Sequence, residues 1–370
     1  MNSSVFSDEP SRVAGIVKSF LGGQTGSIMG PESEPLARLV IGGDRKDDCA
    51  AYEIYRPMII VVGTDYVRGP KFALYELGLL TNFDIGYYVV AANVSDIAAM
   101  GATPLGVLTV VRYPNDLDDE SFEQIMAGIH QAAADFGTLN VGGDIGQAER
   151  IILSATALGL CEQGKILSRS GSQPGDLLCV TGPCGILGAA VAYFSNREER
   201  GWRLSGGTEH ELIESWKRPV ARVAEGRLLA RKPYATACQD TSDGLKATIA
   251  QLAESSGVGF EVWGASVPVA DPVRDVAALI GADPLALAMS ASADFQLAFT
   301  VRPDDFESCS KEFADSGLDF CVLGRAVESG EGIYLLSENG ARSALPGVAW
   351  RHQKSGIGSL VMDAQSDERA

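Results

Sequence analysis

Five short segments place acidic residues where the backbone is expected to turn, and this arrangement constrains the chain more than any other feature. They are Asp47-Asp48-Cys49-Ala50, Thr64-Asp65, Asn93-Val94-Ser95-Asp96, Gly142-Gly143-Asp144 and Asp240-Thr241-Ser242-Asp243-Gly244. The last four follow or lie on apolar segments, so regular structure should hold their carboxylates. If the segments converge, seven carboxylates share one site. Two such charges about 4 Å apart repel by roughly 4 kcal/mol at an effective dielectric of about 20. Bound cations make such an arrangement tolerable. Mg²⁺ suits it, because it takes oxygen ligands and usually bridges to substrate phosphates.

A length of 370 residues suggests two domains, on a prior of roughly 150 residues each. The net charge of -18 opposes nucleic acid and anionic membranes, so neither is an expected partner. An acidic protein that binds nucleotides needs metal to offset the like charge. The seven cysteines form no C-x-x-C pair, and the only histidines are His130, His210 and His352. That pattern argues against zinc and for reduced, buried thiols. Met1 to Pro10 lacks the basic region and apolar core of a secretory signal. No apolar run reaches the ~18 residues of a membrane span. A cytoplasmic location is expected.

Residues 1–35 are rich in Ser, Gly, Glu and Pro and read as a flexible arm. Residues 58–62 read as a buried strand that delivers Thr64-Asp65 at its carboxyl end. Residues 86–100 have the content of a buried helix, stopped by Gly101 and Pro104. A strand over 105–111, a helix to Phe136, a strand leading into Gly142 and a strand over 151–160 follow. A new unit is expected near Gly164, with a strand at 177–181 and an alanine-rich helix opened by Gly182, Gly185 and Gly188. A short strand should end at Asp240, and a helix over 245–255 should be capped by Gly257. Strands mixed with helices in both halves predict an α/β (α+β) fold. The expected division is an arm at 1–35, an amino-terminal domain at 36–163, a carboxyl-terminal α/β domain at 164–352 and a flexible tail at 353–370.

Asn93 and Asp96 lie three residues apart on the expected helix and share a face whose neighbours are mostly apolar. An amide and a carboxylate there cost desolvation unless they are paired or bind a ligand. A buried hydrogen bond would satisfy Asp96, and ligand or metal contact is the other reading. Asp65 and Asp144 are placed just past strands, where open α/β sheets present ligand-binding residues. Gly142 and Gly143 would let the backbone approach a phosphate, although Gly-Gly-Asp is also a common turn. Asp240 and Asp243, three residues apart before a helix, can serve as metal ligand and N-cap. The glycines at 182–188 lack the Walker lysine and the dinucleotide spacing, so helix packing is their better reading. No G-x-S-x-G occurs, and scarce histidine is no obstacle to phosphoryl transfer, which depends on positioning and charge neutralisation.

In this order the motifs resemble the thiamine-monophosphate kinase branch of the aminoimidazole-ribotide synthetase (PurM-like) superfamily. The most specific stretch runs from Ala92 through Asn93, Ser95, Asp96 and Met100 to Ala102, with Pro104 following. Gly142-Gly143-Asp144, Leu167-Ser168-Arg169-Ser170-Gly171, Pro174-Gly175-Asp176, Arg218-Pro219 with Arg222, and Asp240 to Leu245 also look like that branch. The resemblance spans about residues 40–350. It implies two α/β domains and a homodimer whose amino-terminal mixed sheets join into a barrel. It also implies ATP bound with several Mg²⁺ ions. Carried over by motif, Asp47, Asp48, Asp65, Asp96, Asp144, Asp240 and Asp243 would be metal ligands, and Asp65, Asp240 and Asp243 would also be catalytic. Asn93, Asp96, Gly143, Asp144, Arg169 and Ser242 would contact the nucleotide, with Thr64 a plausible helper.

The chain also departs from that pattern. Lys46 stands where the family has glycine before Asp47-Asp48, Gly63 where it has serine, and Ile145 where it has threonine. The family's Gly-Gly-Glu-Asp-Tyr-Glu-Leu is replaced by Ala291-Ser292-Ala293-Asp294-Phe295-Gln296-Leu297, with two carboxylates lost. Trp350-Arg351-His352 only faintly echoes the carboxyl-terminal aromatic motif that helps form the thiamine site. The expected activity is direct transfer of the ATP γ-phosphate to a small metabolite. Thiamine monophosphate is the first acceptor to try, but the altered loop at 291–293 predicts that it is used poorly. Two rival readings are an ATP-dependent enzyme that activates an amide or carboxylate oxygen and a catalytically silent nucleotide-binding subunit. The missing terminal cysteine disfavours hydrogenase-maturation relatives.

Overall fold

The computed structural model describes residues 27–29, 33–41, 51–55, 57–67 and 72–348. Asp47, Asp48, the Trp350-Arg351-His352 echo, the tail at 353–370 and most of the arm at 1–35 lie outside these residues. The chain divides into two units, residues 1–97 with 102–166 and residues 98–101 with 167–370.

In the first unit, β1 (Ser27–Met29), β2 (Pro35–Ile41) and β3 (Ala51–Ile54) form an antiparallel sheet. The expected arm therefore contributes a strand where Ile28 joins Leu36, Ala37, Leu105 and Leu160 in one apolar cluster. A four-stranded mixed sheet follows, made of β4 (Met58–Val67), β5 (Thr103–Tyr113), β6 (Asn140–Gln147) and β7 (Ile152–Glu162) in the order β4-β7-β5-β6. Only β5 and β6 run parallel. Between those two strands the chain passes through the helix Asp119–Asp135, whose N-cap Asp118 accepts the Ser121 N–H.

In-register partners share a face of a sheet. Gly63, Ala157 and Val107 make one row of β4, β7 and β5, and Asp65, Ala155, Thr109 and Gly143 the next across all four strands. The helix Asn82–Ala99 packs on this side, where Ile97 presses on Gly159. On the opposite face lie Thr64, Thr156 and Leu108, then Tyr66, Ser154, Val110 and Asp144. Ile60 and Val62 on that face are 56% and 60% exposed.

β4 and β6 are longer than the sequence suggests, so Asp65 and Asp144 lie inside strands and not past them. The polar residues do not end β4, because only every second side chain needs an apolar environment and β7 supplies the ladder from Met58 to Val67.

The second unit holds a seven-stranded mixed sheet in the order β14-β13-β10-β12-β8-β11-β9. Its strands are β8 (Leu177–Val180), β9 (Ala235–Asp240), β10 (Gly259–Trp263), β11 (Leu297–Val301), β12 (Cys321–Val327), β13 (Ile333–Leu336) and β14 (Arg342–Ser343). β11 is buried along its whole length, and its one polar side chain, Thr300, shares hydrogen bonds with the hydroxyls of Ser172 and Thr236. Leu297, Phe299 and Val301 point into a core with Leu229, Cys309 and Phe313, whereas Ala298 joins Leu245, Ile249 and Leu252 on the other side. Helices therefore cover both faces, the layering expected of an α/β domain. The six described cysteines are all free thiols, and five are buried. No helix among the described residues is long and apolar enough to cross a membrane.

Candidate functional site

In the first unit the helix Asn82–Ala99 lays its two polar positions against β4. Asn93 is fully buried, with Oδ1 accepting the Asp65 N–H at 2.8 Å and Nδ2 donating to the Val89 carbonyl at 2.8 Å. A longer contact of 3.4 Å runs from Nδ2 to the Asp65 carbonyl. The amide of Asn93 is thus spent on backbone and fixes Asp65 from behind. One turn along, Asp96 lies over Gly63, where an added Cβ would stand 3.6 Å from the Asp96 Cβ and 3.7 Å from Oδ2. Gly63 and Asp65 project to the same side of β4, so Asp65 and Asp96 belong to one helix–sheet junction. Asp65 Oδ1 also accepts the Tyr66 N–H at 2.7 Å, and the Thr64 hydroxyl donates to the Ala155 carbonyl at 2.8 Å.

Asp144 stands on the opposite, open face, paired with Arg112. The glycine before it is required by shape. Gly143 has φ 145°, and a Cβ there would lie 1.8 Å from the Thr109 carbonyl oxygen.

In the second unit Asp240 is the last residue of β9 and is 2% exposed. Its Oδ1 accepts the Ser242 hydroxyl at 2.9 Å, and its carbonyl accepts the Thr248 hydroxyl at 3.1 Å. Asp243 is not the helix cap. The N-cap of the helix Leu245–Ser256 is Gly244, without a side-chain cap hydrogen bond. Gly244 has φ 92°, and a Cβ there would meet the Ser290 carbonyl oxygen at 2.2 Å. The half-buried Asp243 therefore owes its place to something other than capping. Arg169 is exposed on the turn before β8, and its carbonyl accepts the Ser256 hydroxyl at 3.3 Å.

The segment Asp294-Phe295-Gln296 holds this loop. Gln296 exchanges two bonds with Thr241, through Thr241 N–H to the Gln296 carbonyl at 2.8 Å and Gln296 N–H to Thr241 Oγ1 at 3.1 Å. Asp294 accepts the N–H groups of Gly185 and Leu187 at 2.6 and 3.1 Å, closing the start of the helix Ile186–Phe194. Burial pushes the Asp294 carboxyl up, against those N–H bonds. Between them the buried Phe295 has φ 53°, a strained backbone for a bulky residue. The reading of Gly182 to Gly188 as packing fits, because Asp294 already fills the helix start. Ala291, Ser292 and Ala293 pack here too. Ser292 accepts the Gly188 N–H at 2.9 Å, and Ala293 is 7% exposed. These loop residues serve the interior of the second unit.

Neither unit brings three or more His, Cys, Asp or Glu side chains together as a metal cluster among the described residues. Among the described residues, the candidate carboxylates divide between the units, with Asp65, Asp96 and Asp144 in the first and Asp240 and Asp243 in the second. The donor chemistry nonetheless fits Mg²⁺, because Asp65 and Asp96 offer only hard oxygen ligands at one junction. Mg²⁺ is commonly held by one or two carboxylates plus phosphate oxygens. Sequence reasoning missed Arg112 and the bracing role of residues 294–296. The basic residue at the end of an apolar run was the available signal for Arg112.

The N-terminal domain of the AIR synthase related protein family matches residues 46–161, and its C-terminal domain matches residues 173–336. A thiamine-monophosphate kinase of Pyrococcus horikoshii is 34% identical over 75% of this chain and 82% of its own length. One from Methanopyrus kandleri is 35% identical over 71% of this chain and 78% of its own. The crystal structure of thiamine-monophosphate kinase from Stenotrophomonas maltophilia K279a superposes with a TM-score of 0.70 at 27% identity, covering 82% of this chain and 92% of that one.

Proposed function

Because the chain belongs to the AIR synthase related protein family, matched in both of that family's domains, we propose that it is an ATP-dependent kinase whose acceptor is thiamine monophosphate. The observation that carries this reading is the junction of Asn93, Asp96, Gly63 and Asp65, where the most specific motif of the sequence meets an oxygen-only ligand set. The two relatives named as thiamine-monophosphate kinases support the acceptor, since each aligns over more than two thirds of both chains.

Asp65 and Asp96 would hold Mg²⁺ together with nucleotide phosphates, and the ion would neutralise charge on the γ-phosphate. Asp240 and Asp243 are further candidate ligands, Asp144 on the other face of the sheet would serve a separate ion, and Asp47 and Asp48 are added from the sequence alone. Ser242 holds Asp240 in place through its hydroxyl. Arg169, exposed and planar in its donor fork, suits a phosphate oxygen pair. Transfer needs no protein nucleophile, because positioning and charge neutralisation do most of the work in phosphoryl transfer.

A second copy of the chain is the partner we assign to the β4–β7 side of the open face, away from Asp144 on β6 at the other edge of the four-stranded sheet. Ile60, Val62, Tyr66 and Ile152 leave apolar area exposed there, and a soluble protein normally covers a continuous patch of that kind.

The test is incubation of the whole protein with ATP, Mg²⁺ and thiamine monophosphate, read by mass spectrometry. Appearance of thiamine diphosphate with one ADP per product supports the proposal. A ring-closed or amidine product from an amide panel would favour oxygen activation. ATP binding without turnover of any acceptor would favour a silent subunit.

A further inference from the structure

Arg112 lies near the end of β5 and crosses to β6, where its Nη2 pairs with Asp144 Oδ2. Arg112 is opposite Gly146 in register, and Asp144 is two residues earlier on the same face. The guanidinium reaches Asp144 by lying over Gly146, where an added Cβ would be 2.8 Å from Nη1 and 3.4 Å from Cζ. A side chain at 146 would make the guanidinium shift from this path. The pairing is therefore built by three positions on two strands. Its charges are partly screened, with side chains 32% exposed for Arg112 and 64% for Asp144.

We propose that Arg112 is a positioning residue that holds the Asp144 carboxylate while no cation is bound, so that a divalent cation must displace it to reach Asp144. This inference rests on the reading of Asp144 as a metal ligand. A guanidinium offers a fixed fork of donors matched to a carboxylate, and a cation needs the same oxygen lone pairs. The two cannot share Oδ2 without mutual repulsion. In a chain of net charge -18, an arginine kept at this carboxylate also limits adventitious cation uptake.

The experiment titrates the full chain with Mn²⁺ alone, followed by electron paramagnetic resonance of the free ion, with circular dichroism as the fold control. Arg112→Gln should bind Mn²⁺ about two- to fivefold tighter, the range expected from losing one exposed ion pair. Arg112→Lys, which keeps the charge but not the fork, should fall between it and wild type. Asp144→Asn should bind more weakly, and the double variant should behave as Asp144→Asn. A gain that survives in the double variant would reduce Arg112 to a general charge effect and overturn the proposal. Unchanged Mn²⁺ affinity in Arg112→Gln, including no binding in either protein, would overturn it as well. If Asp144→Asn weakens Mn²⁺ while Arg112→Gln changes nothing, only the role of Arg112 fails. If Asp144→Asn changes nothing, the reading of Asp144 as a ligand fails with it.

Discussion

Asn93 Oδ1 accepts the backbone N–H of Asp65, and Asn93 Nδ2 ties the same side chain to its own helix at Val89. One buried amide thus sets the distance between a helix and the strand that carries the candidate ligand. Asn93→Ala leaves the Asp65 N–H without its partner, at a cost of about 1–3 kcal/mol for a buried group. We expect that loss in urea denaturation. We also expect kcat to fall about tenfold to a hundredfold, the usual effect of removing support behind a ligand. Wild-type kcat in Asn93→Ala would show that Asp65 needs no such support.

Asp240 and Asp243 separate structure from chemistry. Asp240 is buried and receives the Ser242 hydroxyl, whereas Asp243 is half-buried and does not cap the helix that follows. Asp243→Asn should therefore leave the melting temperature near wild type and lower kcat by about a hundredfold or more, if it meets metal or phosphate. Asp240→Asn should lower both turnover and stability. A fully active Asp243→Asn variant would remove that residue from the site.

The pairing of Asn93 with Asp96 on one helical face was legible because a spacing of three residues fixes a face whatever the tertiary context. The strand ends were not legible. Thr64-Asp65 and Gly142-Gly143-Asp144 look like turns, yet a strand with one open face tolerates polar residues at alternate positions. Ending the strand at Val111 also hid Arg112, whose partner is distant in sequence. The capping role considered for Asp243 went instead to Gly244, because the approach of Ser290 leaves no room for a Cβ. Ala291, Ser292 and Ala293 read as an altered acceptor loop, and in the structure Ser292 accepts the Gly188 N–H of the helix Ile186–Phe194 while Ala293 is buried. A glutamate at 293 would be buried there, so restoring the lost charge should cost stability.

Glu312 ties the helix Pro303–Asp315 to Arg231, Lys232 and Tyr234, with Lys232 Nζ at 3.0 Å and the Tyr234 hydroxyl at 2.8 Å. Burial pushes its carboxyl up, but these donors outweigh it and hold it down at about 2, from an ordinary 4.5. A depressed carboxyl stabilises the fold fully above its unfolded value and loses that contribution as pH falls toward its folded value. Wild type should therefore lose stability from about pH 4.5 down to about 2 through this group. Glu312→Gln should be less stable at pH 7 by about 2 kcal/mol and should show a flatter acid limb in calorimetry. Equal melting temperatures at pH 7 would mean that the three donors contribute nothing net.

The open face of the four-stranded sheet makes the last prediction. Ile60 and Val62 alternate with helix-covered positions on β4 and are 56% and 60% exposed. Neither contributes to the interior of its own unit, so a charge there should not disturb folding. If a second copy covers this face, Val62→Asp buries a carboxylate against apolar side chains and must either ionise without a partner or leave the interface. The variant should sediment as a monomer at concentrations where wild type is a dimer, with an unchanged circular dichroism spectrum. Exposed single apolar residues are ordinary on protein surfaces, so the comparison with Leu77→Asp is needed. Leu77 is 49% exposed as the C-cap of the short helix Ala73–Glu76 and belongs to none of the four strands. A dimer that survives Val62→Asp, or that is lost equally in Leu77→Asp, would place the contact elsewhere.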